Sequence, residues 1–292
     1  MSRLYTEVRG HGPALVLLHG WGLNLRIWDG LTAALCDRFR IIAVDLPGHG
    51  RSAWLPERSS LEEQAAQVRE TVDEIASEYS LLGWSLGSQI ALQLAAGSAR
   101  GAGPLSAEPP RGAGPAGSAP AAPIRRLVLI AATPQFIAAP DWPHGAPAER
   151  LAAQAGGLRS DYRRTVSDFL ELQVRGSADG GEALEQLRAA LFEHGSVASA
   201  PSELRGLNIA ALIRGLELLR DNDLRPLLAD ITVPALVIAG QYDRVIHPAA
   251  SHALANALPN AHYVEIRRAA HAPFLSHFPE LSTLICDFLL QP

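Results

Sequence analysis

The chain has 292 residues, a formal net charge of −5 and 48% hydrophobic residues, which supports a large core and excludes a disordered chain. The acidic balance argues against nucleic acid as the main partner. All 25 basic residues are arginine, so lysine nucleophiles and Schiff bases are excluded. No signal peptide precedes the first strand-like stretch, and no apolar run reaches membrane-spanning length. We therefore expect a cytoplasmic protein that does not bind membranes, and we expect a monomer.

Strands and helices alternate along the first third of the chain. Residues 4–8 predict an edge strand, and the apolar runs at 14–18 and 41–44 predict strands buried on both faces. Apolar residues at helical spacing predict helices over 28–35 and 61–77. This alternation is typical of a mainly parallel sheet.

A short strand, a tight turn and a helix follow from residue 79 to about residue 96. Residues 97–123 are almost entirely Gly, Ala, Pro and Ser, and their lack of apolar periodicity predicts a mobile surface insertion. A buried strand is then expected at 124–130.

The stretch from 133 to 233 contains no strand-like run. Four segments with helical spacing (148–155, 162–174, 182–194 and 202–220) predict a helical cap. A strand at 235–239, a helix at 248–258, a strand at 263–266 and a helix near 279–290 complete the chain. We therefore predict an α/β fold, with a mainly parallel twisted sheet, helices on both faces and a helical cap inserted between late strands. Its core comprises 1–132 and 234–292, and its cap comprises 133–233.

The strongest chemical motif is Gly83-Trp84-Ser85-Leu86-Gly87, which fits G-x-S-x-G between a strand and a helix. A serine at such a turn has a strained backbone, and the flanking glycines let the strand and helix pass closely. The turn also places the hydroxyl above a helix N-terminus, which suits a developing oxyanion. Alone the motif is common, and it could be an ordinary glycine-rich turn.

Two distant residues strengthen this interpretation. Asp243 and His271 each come shortly after a predicted strand, in the chain order Ser, Asp, His that α/β-hydrolases share. A serine needs an imidazole to take its proton, and the imidazole needs a carboxylate to fix its tautomer. We predict Ser85 as nucleophile, His271 as base and Asp243 as acid. The rival histidine is His277, and the rival acids, Asp221 and Asp230, do not follow strands.

Two main-chain N–H groups are expected to form the oxyanion hole. One belongs to Leu86, directly after the nucleophile, and we place the other at Trp21 in the loop after the first buried strand. No cluster has metal-ligand spacing and no phosphate-binding glycine loop is present, so we expect neither a metal nor a cofactor. Cys36 and Cys286 are far apart and are expected to be buried apolar residues.

Taken together, these motifs resemble the α/β-hydrolase superfamily over nearly the whole chain. Several stretches look closer to one family within it, the carboxylesterases of biotin synthesis that cleave pimeloyl-acyl carrier protein methyl ester. They are residues 19–24 with Trp28, 45–52, 83–87, 164–166, 169–173, 215–219 and 269–274. The cap stretches matter most, because caps differ between α/β-hydrolases of different substrate.

The resemblance implies hydrolysis of a methyl ester on a dicarboxylate chain that acyl carrier protein carries. It implies that the substrate contacts Trp21, Ser85, Leu86, Phe169, Leu170, Glu171, Leu172, Gln173 and His271. It also implies that cap arginines hold the acidic carrier, and Arg163, Arg164 and Arg188 fit that role. The chain departs from the family pattern at Asp168, Gly181 and Glu185, where arginines would stand, and by its insertion at 97–123.

Other functions remain open on the same motifs. A general short-chain carboxylesterase or lactonase would use the same three residues and would not depend on a carrier. A carbon–carbon bond hydrolase is a weaker alternative, and an inactive binding protein would be expected to lack one of the three residues. A dehalogenase is disfavoured because it would have Asp in place of Ser85.

Overall fold

The computed structural model describes residues 3–101, 123–192 and 208–291. Seven strands form one sheet in the order β1-β3-β2-β4-β5-β6-β7. Only β1 is antiparallel to its neighbour, so the sheet is mainly parallel. The strands are β1 (Thr6–Arg9), β2 (Ala14–Leu18), β3 (Arg40–Val44), β4 (Tyr79–Trp84), β5 (Ile124–Ile130), β6 (Ala235–Gly240) and β7 (Ala261–Ile266).

Helices connect the strands and cover both faces of the sheet. They are α1 (Asp29–Leu35), α2 (Leu61–Asp73), α3 (Leu86–Gly101), α4 (Ala148–Ser160), α5 (Tyr162–Val174), α6 (Gly180–Phe192), α7 (Ile209–Asp221), α8 (Pro248–Ala257), α9 (Pro273–Ser276) and α10 (Phe278–Leu289). None of the helices in the described ranges is both long and apolar enough to cross a bilayer.

The central strands are apolar on both faces because each face packs against helices. In β2, Leu15 and Leu17 join the core under α1, α10 and the cap helices, whereas Val16 and Leu18 join the core under α2, α3 and α8. All four side chains are fully buried. This explains why the strand is a continuous apolar run instead of alternating with polar residues.

Helices α4 to α7 lie between β5 and β6 in the chain. Helix α4 packs against α5 and α7, and α5 packs against α6. Helix α6 also contacts α9 and the short 3₁₀ helix Leu25–Trp28 of the sheet region. The four predicted cap helices are therefore present, although the assignment of 133–233 as a separate unit stays a prediction.

Several helix boundaries differ from the prediction, and helix α4 ends at Ser160 instead of residue 155. Helix α2 ends at Asp73 instead of residue 77, because the chain turns at Ile75 and Ala76, whose N–H groups both donate to the carbonyl of Val72. Helix α7 begins at Ile209, because the extended Asn208 caps it through a bond to the Ala211 N–H. The predicted start at residue 202 lies outside the described residues.

Helix α3 is longer than its composition suggested. It continues to Gly101, so the first residues of the predicted mobile insertion are helical. Arg69 on α2 donates to the Leu94 carbonyl and the Ser98 hydroxyl and ties the extra turn to the core. The rest of that insertion, residues 102–122, lies outside the described residues. Of the two free cysteines, Cys286 is buried as expected, whereas Cys36 is only partly buried.

Candidate active site

Ser85 occupies the turn between β4 and α3 in a left-handed conformation, with φ of 56°. Such a conformation is costly for a residue with a Cβ and is usually found at functional sites. The turn is tight because Gly83 and Gly87 face each other: a Cβ on Gly83 would lie 2.5 Å from the Gly87 carbonyl oxygen. The Ser85 N–H donates to the Ile130 carbonyl at the end of β5. The strained geometry predicted for this motif is therefore present.

Asp243 and His271 meet at the same edge of the sheet. The distance from His271 Nδ1 to Asp243 Oδ2 is 2.8 Å, and the two side chains are almost fully buried. Oδ1 of Asp243 accepts hydrogen bonds from the N–H groups of Val245 and Ile246, at 2.8 and 2.9 Å. These bonds hold the carboxylate in one orientation, and the carboxylate in turn holds the imidazole.

The main chain of His271 is also fixed. Its carbonyl accepts from Nε1 of Trp84, the residue before Ser85, and its N–H donates to the Gln173 carbonyl at the end of α5. Nε2 of His271 is buried and has no hydrogen-bond partner in the part of the chain that the structure describes. That nitrogen is the one a general base would use toward a serine hydroxyl.

The three residues follow three parallel strands. Ser85 comes directly after β4, Asp243 comes three residues after β6, and His271 follows β7. Carboxyl ends of parallel strands share one edge of a sheet, where ligands bind. The rivals lie elsewhere: Asp221 ends α7 beside Arg220, and His277 precedes α10.

The loop after β2 packs closely against Ser85. A Cβ on Gly20 would lie 3.4 Å from Cβ of Ser85, so the main chain that leads into Trp21 is directly beside the serine. Leu86 is the first residue of α3, and its N–H therefore has no partner within the helix. The assignment of the Trp21 and Leu86 N–H groups to an oxyanion hole stays a prediction.

Two buried, uncharged histidines, His19 and His49, hold the loop after β2 in place. His19 accepts from the Leu46 N–H and lies 2.8 Å from the Gly20 carbonyl, and His49 accepts from the Gly22 N–H and lies 3.0 Å from the Pro47 carbonyl. Burial lowers the pKa of each imidazole to about 4, and for His49 the neighbouring His19 lowers the pKa further. Both are therefore neutral at pH 7 and serve as structural acceptors.

A chamber of about 90 Å³ opens onto Ser85 between the sheet edge and the cap. Its wall is mainly apolar, and it has two polar side chains besides the serine. The lining residues are Trp21, Ser85, Phe136, Arg150, Leu151, Gln154, Phe169, Leu172, Leu216, Leu219 and Val245. Such an enclosed apolar site suits an aliphatic acyl group.

Trp21 joins the core to the cap at this chamber. Its Nε1 donates to the Leu212 carbonyl on α7 at 2.8 Å, and its ring packs edge-on against Phe169 with centroids 4.9 Å apart. Gly215 on α7 makes room for the ring, since a Cβ there would lie 2.6 Å from Cδ1 of Trp21. Contacts with two cap helices, α5 and α7, therefore hold the indole in place.

The predicted substrate residues of α5 are in different environments. Phe169 and Leu172 line the chamber, and Leu170 is buried in the core. Glu171 is exposed and lies 3.4 Å from Arg188. Gln173 is fully buried, and neither polar atom of its side chain has a hydrogen-bond partner within the described ranges.

The predicted carrier-binding arginines lie on the exposed faces of α5 and α6. Arg164 is 3.7 Å from Asp168, and Arg188 pairs with Glu185 as well as Glu171. Arg163 is exposed. Acidic side chains therefore offset part of the positive charge on these faces.

Sequence reasoning missed most of the chamber wall. Phe136, Arg150, Leu151 and Gln154 carry no motif that marks them as functional. Leu216 and Leu219 lie in the stretch 215–219 that carries the family resemblance, and Val245 comes two residues after the predicted acid, but the sequence alone does not assign them to the site. The others meet only because the cap helices fold over the serine.

The arrangement is suited to acyl transfer through a serine. It combines a hydroxyl at a strained turn, an imidazole oriented by a carboxylate, and main-chain N–H groups beside the reacting oxygen. In the described part of the chain, no group of three or more His, Cys, Asp or Glu could hold a metal ion.

Comparisons with known proteins agree with this chemistry. A model of the alpha/beta hydrolase family matches residues 15–281. The chain is 35% identical over 281 residues to a pimeloyl-[acyl-carrier protein] methyl ester esterase of Nitrosomonas europaea, covering 96% of each protein. It is 36% identical over 286 residues to the protein of the same name in Methylococcus capsulatus, covering 98% of each.

Solved structures show the same fold at lower identity. An esterase from Exiguobacterium antarcticum has a TM-score of 0.80 and 20% identity, with 99% of this chain and 96% of that chain covered. The enol-lactonase of Burkholderia xenovorans has a TM-score of 0.75 and 23% identity, with 99% and 96% covered. The overall fold is thus shared with proteins whose names give different activities.

Proposed function

Because the chain belongs to the alpha/beta hydrolase family, we propose that it is a serine carboxylesterase that hydrolyses the methyl ester of pimeloyl-acyl carrier protein. The products are pimeloyl-acyl carrier protein and methanol, and the reaction serves biotin synthesis. The observation that carries the substrate is the extent of the similarity: relatives with this activity in their name match 96 to 98% of the chain, cap included.

The first half of the reaction is attack on the ester. Nε2 of His271 takes the proton of the Ser85 hydroxyl while Oγ attacks the ester carbonyl carbon. Asp243 stabilises the imidazolium that forms, through the contact of 2.8 Å to Nδ1. The negative oxygen of the tetrahedral intermediate accepts from the main-chain N–H groups of Trp21 and Leu86. One such donor contributes about 3 kcal/mol to transition-state stabilisation.

The second half releases the products. His271 gives the proton to the leaving methoxide, which departs as methanol, and the acyl chain stays bound to Ser85 as an ester. A water molecule then gives a proton to His271 and attacks the acyl carbon. Collapse of this second intermediate returns the proton to Ser85 and frees the carboxylate, so no cofactor is consumed.

The carrier protein is the second proposed partner. The acidic carrier would bind Arg163, Arg164 and Arg188 on the exposed side of the cap, while its acyl chain enters the chamber past Phe169 and Leu172. We further propose that the protein acts as a monomer in the cytoplasm.

A general short-chain carboxylesterase or lactonase is the alternative function. One observation favours it: the chamber of about 90 Å³ is smaller than the roughly 300 Å³ at which ligand sites usually begin. A seven-carbon chain would therefore require cap side chains to move, whereas an acetyl group would not.

The experiment that separates these functions compares two substrates. Methanol release from methyl pimeloyl-acyl carrier protein is measured beside hydrolysis of p-nitrophenyl acetate, with wild type and Ser85→Ala. The proposal expects Ser85-dependent methanol release with a kcat/KM above that for the small ester. Ser85-dependent hydrolysis of the small ester alone would reject the carrier-bound substrate and favour the alternative.

A further inference from the structure

The acyl chamber contains two polar side chains that the proposed hydrolysis of the ester does not use. Arg150 and Gln154 both lie on α4, one helical turn apart, and both line the cavity that holds Ser85. Residues four apart on a helix share one face. Apart from Ser85, every other residue of that wall is apolar, so the pair forms a single polar spot in an apolar chamber.

Gln154 presents an unused hydrogen-bond donor. Its Nε2 is buried and has no partner among the described residues. Buried donors without an acceptor are rare in native proteins and call for an explanation. A ligand that brings an acceptor oxygen into the chamber supplies one.

Arg150 is held at the mouth of the chamber by the core. Its Nη1 donates to the Arg244 carbonyl at 2.8 Å, which leaves further N–H groups of the guanidinium for another acceptor. Arg150 and Val245 also line an outer groove of about 450 Å³ together with His144, Arg244 and His247. Arg150 therefore stands where the chamber meets the solvent-facing groove.

We propose that Arg150 and Gln154 bind the second carbonyl group of the substrate acyl chain, the one at the end opposite the scissile ester. This inference rests on the proposed function, in which that group is the thioester carbonyl that joins the chain to its carrier. Once cap side chains have moved to admit the chain, the apolar wall holds the methylene groups between the two carbonyls. The enzyme thereby selects chains with an acceptor at both ends over plain fatty acid esters.

The physical basis of the selection is the unpaired donor. A chain that ends in a methyl group would leave the Gln154 amide buried without a partner and would place hydrocarbon against the Arg150 guanidinium. Sites built to hydrogen-bond a substrate reject analogues without that group more strongly than apolar pockets reject an analogue that differs by a methylene. Because Arg150 is exposed, we expect a preference of about 10-fold, well below the largest known.

The test uses two free methyl esters with the same seven-carbon acyl chain, dimethyl pimelate and methyl heptanoate. Wild type should have a kcat/KM about 10-fold higher for dimethyl pimelate, mainly through a lower KM. Gln154→Leu and Arg150→Met should each bring the ratio of the two kcat/KM values closer to about two, the value that the two equivalent esters of dimethyl pimelate give without selection. Gln154→Glu, which keeps the size but replaces the donor with an acceptor, should lower the ratio as Gln154→Leu does.

Matched controls are available outside the chamber. Arg159→Met lies on the exposed end of the same helix, and Gln186→Leu lies on α6 beside Glu182. Both should retain the wild-type ratio, and thermal unfolding of each variant checks that the fold is intact.

The inference would be overturned if wild type prefers dimethyl pimelate by no more than about twofold, or if the chamber variants slow both esters equally. Failure of the proposed function is a separate result. If methyl pimeloyl-acyl carrier protein is not hydrolysed but the two free esters behave as described, the inference holds and the carrier-bound substrate is rejected.

Discussion

The strand ends of the sheet and the helices above them hold their functional groups in different ways. At the strand ends, Ser85, Asp243 and His271 are buried and fixed through main-chain contacts, and the Asp243 carboxylate is fully hydrogen-bonded. In the cap, Nε2 of Gln154 and both polar atoms of the Gln173 side chain are buried without partners in the described ranges. Among the three residues at the strand ends, the one such atom in those ranges is Nε2 of His271, the nitrogen that takes the serine proton in the proposed reaction.

The difference indicates a division of labour. Groups that must transfer protons are positioned before substrate arrives, as electrostatic preorganisation requires. Groups that must recognise a chain are left with unused hydrogen-bonding capacity that the substrate can satisfy. Variants at the strand ends should therefore affect every ester alike, and variants in the cap should change the preference among esters.

The largest expected effect comes from the nucleophile. Ser85→Ala removes the attacking oxygen and should lower kcat by about 10⁴-fold or more on any ester. The change is confined to one hydroxyl, so the midpoint of thermal unfolding should stay within a few degrees of wild type. Esterase assays on purified protein and a thermal melt measure the two properties.

Ser88→Ala is the matched control for that experiment. The Ser88 hydroxyl donates to the Gly83 carbonyl at 2.7 Å and is fully buried, so its loss should lower the unfolding midpoint. Activity below the melting temperature should remain within about 10-fold of wild type, since this hydroxyl faces the turn and not the chamber. Equal losses in the two variants would remove Ser85 from the nucleophile role.

A smaller effect is expected from a substitution that crowds the contact between Trp21 and the cap helix α7. Gly215→Ala puts a methyl group 2.6 Å from the Trp21 ring, which its bond to Leu212 keeps from moving freely. Displacement of a positioning group by about 1 Å can cost 10²-fold, so we expect kcat/KM to fall by roughly 10- to 100-fold.

Gly156→Ala provides the comparison, because a Cβ at this position of α4 meets nothing within 4 Å. That substitution should leave activity unchanged and raise the free energy of unfolding by up to about 1 kcal/mol through helix propensity. Kinetics and urea unfolding of the two variants measure both effects. Unchanged activity in Gly215→Ala would show that the contact with Trp21 does not position the site.

The two buried, neutral histidines predict how the free energy of unfolding depends on pH. Burial lowers the pKa of His19 and of His49 to about 4, whereas the unfolded values are near 6.5. Between these values the unfolded chain binds more protons than the folded chain. The free energy of unfolding should therefore fall as pH decreases through that window, by about 2.7 kcal/mol per pH unit at most.

His49→Gln should remove about half of that slope in urea titrations at pH 7, 6 and 5, because one of the two histidines no longer titrates. Asp45 lies beside His49 and is present in both proteins. A slope that the substitution leaves unchanged would mean that folding does not lower the pKa of His49.

The sequence predicted the fold well where the signal is local. Strand β2 is a continuous apolar run and was placed to the residue, and the Gly83–Gly87 turn was recognised because its glycines serve a steric need. Helix α3 was predicted too short, since Gly, Ala and Ser resemble a loop in composition. A helix that is already formed extends readily, and the Arg69 side chain ties the extra turn to the core.

The residues of the site likewise differ in whether the sequence could predict them. Asp243 and His271 could be proposed from their order and from the strands before them. Arg150 and Gln154 could not, because they reach the chamber only through the packing of α4 on α5 and α7. Nothing in their local sequence distinguishes them from ordinary polar residues on an exposed helix. Chamber walls built from several helices depend on tertiary packing, which residue spacing does not encode.

The most direct test of this division measures one ratio in two variants. The ratio compares kcat/KM for methyl pimeloyl-acyl carrier protein with kcat/KM for p-nitrophenyl acetate. In Asp243→Asn both values should fall by about 10⁴-fold, so the ratio should stay close to that of wild type. In Phe169→Ala the ratio should fall by about 10-fold or more, because this side chain lines only the cap side of the chamber. A ratio that changes in Asp243→Asn, or that stays constant in Phe169→Ala, would contradict the division between core and cap.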